Sequence, residues 1–154
     1  MNRAPDEYRS IAPVYDPFLS PFLQGVRSRV VDIALNCRLQ TMIDLCCGTG
    51  EQCWMLWQKG VRAFGVDLSP AMLRKAASRH PAGGYVQGDA AMLPFQPRSC
   101  DGAILSFALH EKSPAQQHDI LNQARDLLVP GGVLVVIDFC RPARLRAYPA
   151  LFMI

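Results

Sequence analysis

The chain has 154 residues, enough for one domain with a hydrophobic core, and half of its residues are apolar, which excludes an intrinsically disordered protein. A formal net charge of only +3, carried by scattered basic residues, argues against a nucleic-acid-binding protein. The six cysteines form no Cys-x-x-Cys pair and have no histidine at metal-ligand spacing, and no signal peptide or membrane-spanning run is visible, so we expect a cytoplasmic protein with reduced thiols, no metal and no membrane span.

The predicted elements begin after a proline-containing segment. Pro5, Pro13 and Pro17 predict an irregular stretch up to residue 17, because proline breaks long helices. Strands and helices then alternate: a helix at 18–37, a strand at 41–45, a helix at 51–59, a strand at 62–66, a helix at 70–79, strands at 85–87 and 101–106, a helix at 114–128, and a strand at 133–139 whose apolar run is typical of burial. The alternation predicts an α/β fold, a doubly wound parallel sheet of about five strands in three αβα layers.

Three aspartates lie where predicted strands end. Asp44 belongs to the end of the first strand, Asp67 closes the second, and Asp89 follows the third. Because ligands of open α/β sheets bind at the carboxyl ends of the strands, these acids are expected to share one binding rim. Carboxylates accept hydrogen bonds from hydroxyls and amines and attract cations, whereas they repel phosphates.

The loop after the first strand, Cys46–Gly50, is typical of a ligand-binding turn, although any tight turn between a strand and a helix favours glycine. A dinucleotide site is disfavoured because Cys53 stands where the third glycine of that fingerprint belongs. Glu51 also opens the next helix, where it would repel a pyrophosphate.

The second and third acids have two readings each. Asp67 is suited to the two hydroxyls of a ribose, and its alternative is a helix cap, a role that Ser69 fills better. Asp89 is suited to an exocyclic amine, and its alternative is a loop or helix cap.

Five motifs in order make the chain resemble the class I S-adenosylmethionine-dependent methyltransferases. They are Asp44–Gly50, Val66–Leu73, Gly88–Ala90 with Leu93–Phe95, Cys100–Ile104 with Leu127–Gly132, and an N-terminal segment, Ile11–Asp16, similar to one that folds over the cofactor. The resemblance implies a Rossmann-like fold, a covering segment and helix at 1–37, and a cofactor-binding domain at 38–154.

The resemblance also implies the residue roles. The methionine end of S-adenosylmethionine would lie beneath Tyr15, against Asp44, Cys46, Gly48 and Gly50, and Ser106 would lie beside the methyl group. Asp67 would bind the ribose. Leu68 and Met72 would pack on the adenine, and Asp89 and the Ala90 backbone would bind the polar edge of that base.

Two features depart from the family pattern. Cys46 occupies a position that is usually glycine, in a variant that resembles the quinone methyltransferases. The chain also ends before the two further strands that the family normally adds, so we expect a C-terminally short sheet with an uncovered edge and a possible homodimer through it.

The predicted activity is transfer of a methyl group to a carbon, oxygen or nitrogen atom of a small-molecule acceptor (EC 2.1.1.-). His110, after the fourth strand, is a candidate base or substrate ligand, and its alternative is a capping or packing histidine; His80 and His118 are expected at the surface. The alternative function is a cofactor-binding module without transferase activity, truncated or completed by a partner chain.

Overall fold

The computed structural model describes residues 12–139, with side chains from Leu23 onward. The helices are α1 (Ala12–Asn36), α2 (Glu51–Trp57), α3 (Pro70–Arg79) and α4 (Pro114–Leu127), and the strands are β1 (Thr41–Leu45), β2 (Arg62–Asp67), β3 (Gly84–Gln87), β4 (Cys100–Ser106) and β5 (Leu128–Ile137). A short 3₁₀ turn, Leu109–Glu111, lies between β4 and α4. None of the described helices is both long enough and apolar enough to cross a membrane.

The described strands form one parallel sheet in the order β3-β2-β1-β4-β5. Because all strands run in the same direction, their carboxyl ends lie along one rim. From β1 the sheet is extended to one side by β2 and β3 and to the other side by β4 and β5, and ligands of such sheets bind at the point between β1 and β4 where the strand order reverses. The predicted α/β architecture with a parallel five-stranded sheet is therefore confirmed, and the three carboxylates follow neighbouring strands.

Alternation along β1 directs its side chains to two separate cores. Met42 packs with Val30 of α1 and Leu56 of α2 on one face, whereas Ile43 and Leu45 pack with residues of α4 on the other. Asp44, two residues after Met42, therefore lies on the α1–α2 face. The sheet between these helices gives the three expected layers.

Three elements have boundaries that differ from the predicted ones by two or more residues. Helix α1 starts at Ala12 rather than residue 18. Pro13 lies in its first turn, where the missing N–H has no helical partner, whereas the helix continues through Pro17 and Pro21 despite the cost of an interior proline. Helix α2 ends at Trp57 and is followed by a turn that contains Gly60, which has a φ of 82°. Strand β5 begins five residues earlier than predicted and is not buried on both faces, because it lies at the edge of the described sheet.

Capping residues fix the helices that border the rim. The Ser69 side chain accepts a hydrogen bond from the Met72 N–H at the start of α3, as predicted, and Pro70 occupies the first helical position. Ser113 and Gln116 form a reciprocal capping box at the start of α4. The helices that follow β2 and precede β5 therefore begin at defined positions on the rim.

Candidate functional site

Two adjoining cavities open at the carboxyl ends of β1, β2 and β4. The large cavity, of about 260 Å³, extends over β2 and the loop after β3, and the small cavity, of about 60 Å³, lies between β1 and α1. Four residues line both cavities and define the junction between them: Cys46, Gly48, Ser106 and Phe107. A ligand that fills both cavities would have its middle at this junction.

Asp44 carries the most perturbed carboxyl group of the site. It is 3% exposed, its Oδ2 accepts a weak hydrogen bond from the Cys53 thiol over 3.9 Å, and its Oδ1 has no hydrogen-bond partner among the described residues. Burial, helped by the negative charge of Asp67, raises the pKa of Asp44 from 3.8 to about 7, although the positive charge of Arg27 opposes this rise. Because Asp44 and Arg27 both line the small cavity, that cavity presents one group of each charge.

The loop after β1 adopts left-handed backbone conformations at three residues. Cys46, Gly48 and Gly50 have φ values of 64°, 54° and 75°, of which only the first carries the steric cost of a Cβ atom. A Cβ added to Gly50 would lie 2.6 Å from the Tyr85 ring, so this position requires glycine for space as well as for conformation. Gly50 caps α2 behind the loop and lines neither cavity.

Asp67 holds the loop against the end of β2. Its Oδ2 accepts a hydrogen bond from the Gly48 N–H over 2.8 Å, and its Oδ1 accepts one from the Ser69 N–H over the same distance. Asp67 also lines the large cavity. Asp67 thus fixes the turn and still faces a ligand, and the capping of α3 is left to Ser69.

Asp89 lies at the far side of the large cavity. Its Oδ1 accepts a hydrogen bond from the Ala91 N–H over 2.9 Å, which is the loop-stabilising role considered as the alternative from the sequence. The residue is exposed and lines the cavity together with buried Ala90. The two roles of Asp89 are compatible, because the backbone contact occupies only one of its oxygens.

Apolar side chains form the walls of the large cavity. Met72 and Ile120 are each 2% exposed, whereas Leu68 is 57% exposed at the mouth. A flat apolar group placed between them would still meet the polar groups of Asp67 and Asp89 at its edges. This combination of apolar walls and a few polar groups is typical of a small-molecule site.

His110 is held by a carboxylate on the neighbouring strand end. Its Nδ1 lies 2.7 Å from Asp138 Oδ1, while Asp138 Oδ2 accepts hydrogen bonds from the backbone N–H groups of Leu109 and His110 over 2.8 and 3.0 Å. The Phe139 ring packs edge-on against the imidazole, with a centroid separation of 4.9 Å. His110 lines neither cavity, although the next residue, Glu111, lines the large one.

Ser106 and Phe107 end β4 at the junction. Phe107 has a φ of 54°, a costly conformation for a residue with a side chain, and its N–H donates a hydrogen bond to the Ile137 carbonyl over 2.7 Å. Its ring packs on Phe139 at a centroid separation of 5.3 Å. The strained backbone therefore places an aromatic ring between the two cavities.

Sequence reasoning missed several residues of this region, among them Arg27, Phe107, Lys112, Ile120 and Asp138. Arg27 and Asp138 are distant in sequence from the groups they approach, so no local pattern identifies them. Phe107 follows the predicted Ser106 and Lys112 lies two residues after His110, so their closeness in sequence to predicted residues was the signal that could have identified them. Tyr15, predicted to cover the cofactor, has its side chain outside the described residues.

The prediction that His80 lies at the surface is wrong, and His118 is exposed as predicted. His80 is 8% exposed because its ring stacks on Trp54 and its Nε2 lies 3.3 Å from Glu51 Oε2, which ties the end of α3 to the start of α2.

Comparisons with known proteins agree with this geometry. A family model described as "Methyltransferase domain" matches residues 42–132. An uncharacterized methyltransferase from Synechocystis is 40% identical over 116 residues, which cover 74% of this chain and 55% of that protein. A demethylmenaquinone methyltransferase from Thermus thermophilus is 32% identical over 147 residues, which cover 89% of this chain and 66% of that protein.

A solved structure shares the fold and carries the expected cofactor. The SAM-bound amino pentose methyltransferase CalS10 from Micromonospora echinaspora superposes with a TM-score of 0.72 at 25% identity, over 79% of this chain and 53% of that one. The chain thus spans between about half and two thirds of the lengths of these three proteins.

Proposed function

This chain belongs to the family of S-adenosylmethionine-dependent methyltransferases, and we propose that it transfers a methyl group from that cofactor to a small-molecule acceptor. The observation that carries the proposal is the pair of joined cavities. The small cavity is lined by a buried acid and an arginine, and the large cavity by three acids, one lysine and apolar walls. A ligand with an amino-acid end, a central cation and a nucleoside end matches this arrangement of charges.

The small cavity fits the amino-acid end. The buried Oδ1 of Asp44 has no hydrogen-bond partner in the described part of the chain, and a buried acceptor without a partner is costly. An ammonium group would satisfy it and would favour the ionised form of Asp44. The guanidinium of Arg27, on the same cavity, is the complementary group for a carboxylate.

The large cavity fits the adenosine end. Asp67 would accept hydrogen bonds from the ribose hydroxyls, and Asp89 would use its second oxygen for the exocyclic amine of adenine. Leu68, Met72 and Ile120 would pack against the base. None of these groups is suited to a phosphate, which agrees with a nucleoside that carries none.

When bound, the cofactor supplies an electrophilic methyl group on a sulfonium centre. The contribution of the protein is then to position the acceptor in line with that methyl group and to exclude water. Ser106 and Phe107 line the junction and would form the wall beside the methyl group. The aromatic ring of Phe107 adds an apolar surface there, in a region of low dielectric constant where charges interact strongly.

His110 is the proposed base for an acceptor that must lose a proton. Asp138 would fix the ring orientation by accepting the Nδ1 hydrogen. Nε2, which lies 3.7 Å from Glu111 Oε1, would then accept the proton, and that carboxylate would stabilise the resulting imidazolium. Because Glu111 lines the large cavity and His110 does not, an acceptor would have to approach from the His110 side of the opening.

The acceptor is proposed to be a small aromatic molecule of the quinol type. Two observations support this choice: several relatives are named for quinone substrates, and Phe107 and Phe139 form an aromatic surface next to His110. A cofactor-binding module without transferase activity is not favoured, because the relatives over this region are named as methyltransferases.

We also propose that the protein is cytoplasmic and forms a homodimer. The five cysteines of the described residues form no disulfide, which supports the cytoplasm. Strand β5 lies at one edge of the described sheet, and an unpaired edge favours pairing with a second copy. Sedimentation of the purified chain is expected to give a dimer, and a monomer at all concentrations would contradict this proposal.

Calorimetry combined with a turnover assay tests the function. The wild-type chain is expected to bind S-adenosylmethionine and to release S-adenosylhomocysteine when a hydroquinone acceptor is added. The Asp119→Asn variant, changed on the exposed side of α4, serves as the matched control with unchanged binding. Absence of cofactor binding would refute the proposal, and binding without turnover across a panel of acceptors would favour the binding module.

A further inference from the structure

Lys112 places a positive charge in the cavity that the proposed function assigns to a cationic cofactor. The residue is partly buried and lines the large cavity. Its N–H donates a hydrogen bond to the Leu109 carbonyl over 3.0 Å, and its carbonyl accepts one from Gln117 Nε2 over 3.1 Å. The backbone that carries the ammonium group is therefore held in place between the 3₁₀ turn and α4.

The charge of Lys112 reaches the junction of the two cavities. Burial and the negative charge of Asp67 raise the pKa of the Cys46 thiol to about 12, and the positive charge of Lys112 is the main influence that opposes this rise. Cys46 is one of the residues that line both cavities, so Lys112 acts electrostatically on the region where the sulfur of the cofactor would lie.

No described carboxylate neutralises this lysine directly. Within residues 23–139, the ion pairs join His80 to Glu51, His110 to Glu111 and Asp138, and Arg125 to Asp126, and none includes Lys112. Asp67, Asp89 and Glu111 line the same cavity, but none of them forms an ion pair with Lys112 within the described residues. The N-terminus of the 14-residue helix α4, directly after Lys112, adds positive potential on the same side.

The positive charge of Lys112 acts against binding of a sulfonium in this cavity, and an anion bound beside the lysine would offset that repulsion. We propose that Lys112 is the docking group for an anionic oxygen of the methyl acceptor, such as a phenolate, enolate or carboxylate, so that the acceptor neutralises Lys112 when it binds. This inference rests on the proposed function and narrows it, because it selects acceptors with an anionic oxygen over amines. Binding of the acceptor and of the cofactor would then favour one another.

The test uses benzoate and its neutral analogue benzamide as probes of the anion site. Each is titrated into the full chain saturated with S-adenosylhomocysteine, for the wild type, Lys112→Met, Lys112→Arg, and the control Lys59→Met, whose side chain is exposed in the turn after α2 at the opposite end of the sheet. We expect the wild type to bind benzoate about five-fold more tightly than benzamide, as for a partly screened charge pair. The preference should disappear in Lys112→Met and persist in Lys112→Arg and in Lys59→Met.

A second measurement needs no acceptor. Removal of the ammonium group should favour the cationic cofactor over its neutral product, so the ratio of S-adenosylmethionine to S-adenosylhomocysteine affinity should rise about five-fold in Lys112→Met and stay constant in Lys59→Met. The inference is overturned if the wild type does not prefer benzoate, if the preference survives in Lys112→Met, or if this ratio does not change. If the wild type does not bind S-adenosylhomocysteine at all, the proposed function fails and the inference falls with it.

Discussion

Asp44→Asn is expected to stabilise the cofactor-free protein at alkaline pH and to weaken cofactor binding. The carboxyl group is buried without a full set of partners, and its pKa is raised by burial from 3.8 to about 7. The folded wild-type protein therefore holds a proton that the unfolded chain releases at lower pH. The stability that this proton contributes is complete below about pH 4 and is lost as the pH rises through 7.

The magnitude follows from the two pKa values. Their difference, at about 1.4 kcal/mol for each pH unit, corresponds to about 4 kcal/mol lost by the wild type between pH 4 and pH 8. The asparagine variant has no such loss, so its advantage over the wild type should grow by about that amount across the range. The asparagine amide also changes the free energy of unfolding by an amount that is the same at every pH, because its hydrogen bonds do not depend on pH.

Urea unfolding at pH 4, 5, 6, 7 and 8 measures the difference in unfolding free energy between the two proteins. Asp119→Asn, an exposed change on α4, controls for the loss of one negative charge. Calorimetry at pH 8 should show S-adenosylmethionine binding weakened by about 2 kcal/mol or more, since the ammonium loses its charged partner. A stability difference that stays constant from pH 5 to pH 8, or unchanged cofactor affinity, would refute the reasoning.

Three further substitutions test other parts of the site. Asp67→Ala should weaken S-adenosylmethionine binding by about 1–3 kcal/mol in calorimetry, because it removes the ribose acceptor and the Gly48 contact, and an unchanged affinity would contradict the assignment. His110→Gln should lower the turnover number with little change in cofactor affinity, and Asp138→Asn should have the same effect to a smaller degree. If turnover number and cofactor affinity fall equally, the two residues have a structural role instead. Cys46→Gly should leave the melting temperature unchanged or higher, whereas Cys46→Val should lower it by the cost of a β-branched residue at a φ of 64°, and the reverse order in a thermal scan would exclude backbone strain.

The sequence was sufficient to predict the sheet and the row of carboxylates. The strands are short apolar runs separated by helical patterns, and Asp44, Asp67 and Asp89 are local to the ends of successive strands, so their common rim follows from the parallel fold alone. Ser69 and Pro70 likewise predict the start of α3, because a cap and a proline at the first position act locally.

The parts that could not be predicted depend on contacts between distant residues. Arg27 reaches the small cavity only because α1 packs beside β1 and α2, and Asp138 reaches His110 only because β4 and β5 are neighbours. His80 was misplaced because its burial depends on Trp54, which lies in another helix. Periodicity and spacing describe one element at a time, so they contain no information on these pairs.

Three unfavourable local features of the described chain lie at or next to the junction of the two cavities. Cys46 and Phe107 hold left-handed conformations at the ends of adjacent strands, and Asp44 is a buried acid without a full set of partners. Such features each cost on the order of 1–3 kcal/mol and persist only where surrounding contacts impose them, as the Phe107 hydrogen bond to Ile137 does here.

A ligand that satisfies these groups offsets their cost. A ligand that binds only the folded state raises the free energy of unfolding by about 2.7 kcal/mol when its concentration is a hundred times its dissociation constant. This gain is comparable to the cost of one such feature. Substitutions that remove the strain or the buried charge should therefore stabilise the ligand-free protein. They should also reduce the additional stability that the protein gains when the cofactor binds. Stability and cofactor affinity are opposed at this junction because the same atoms determine both.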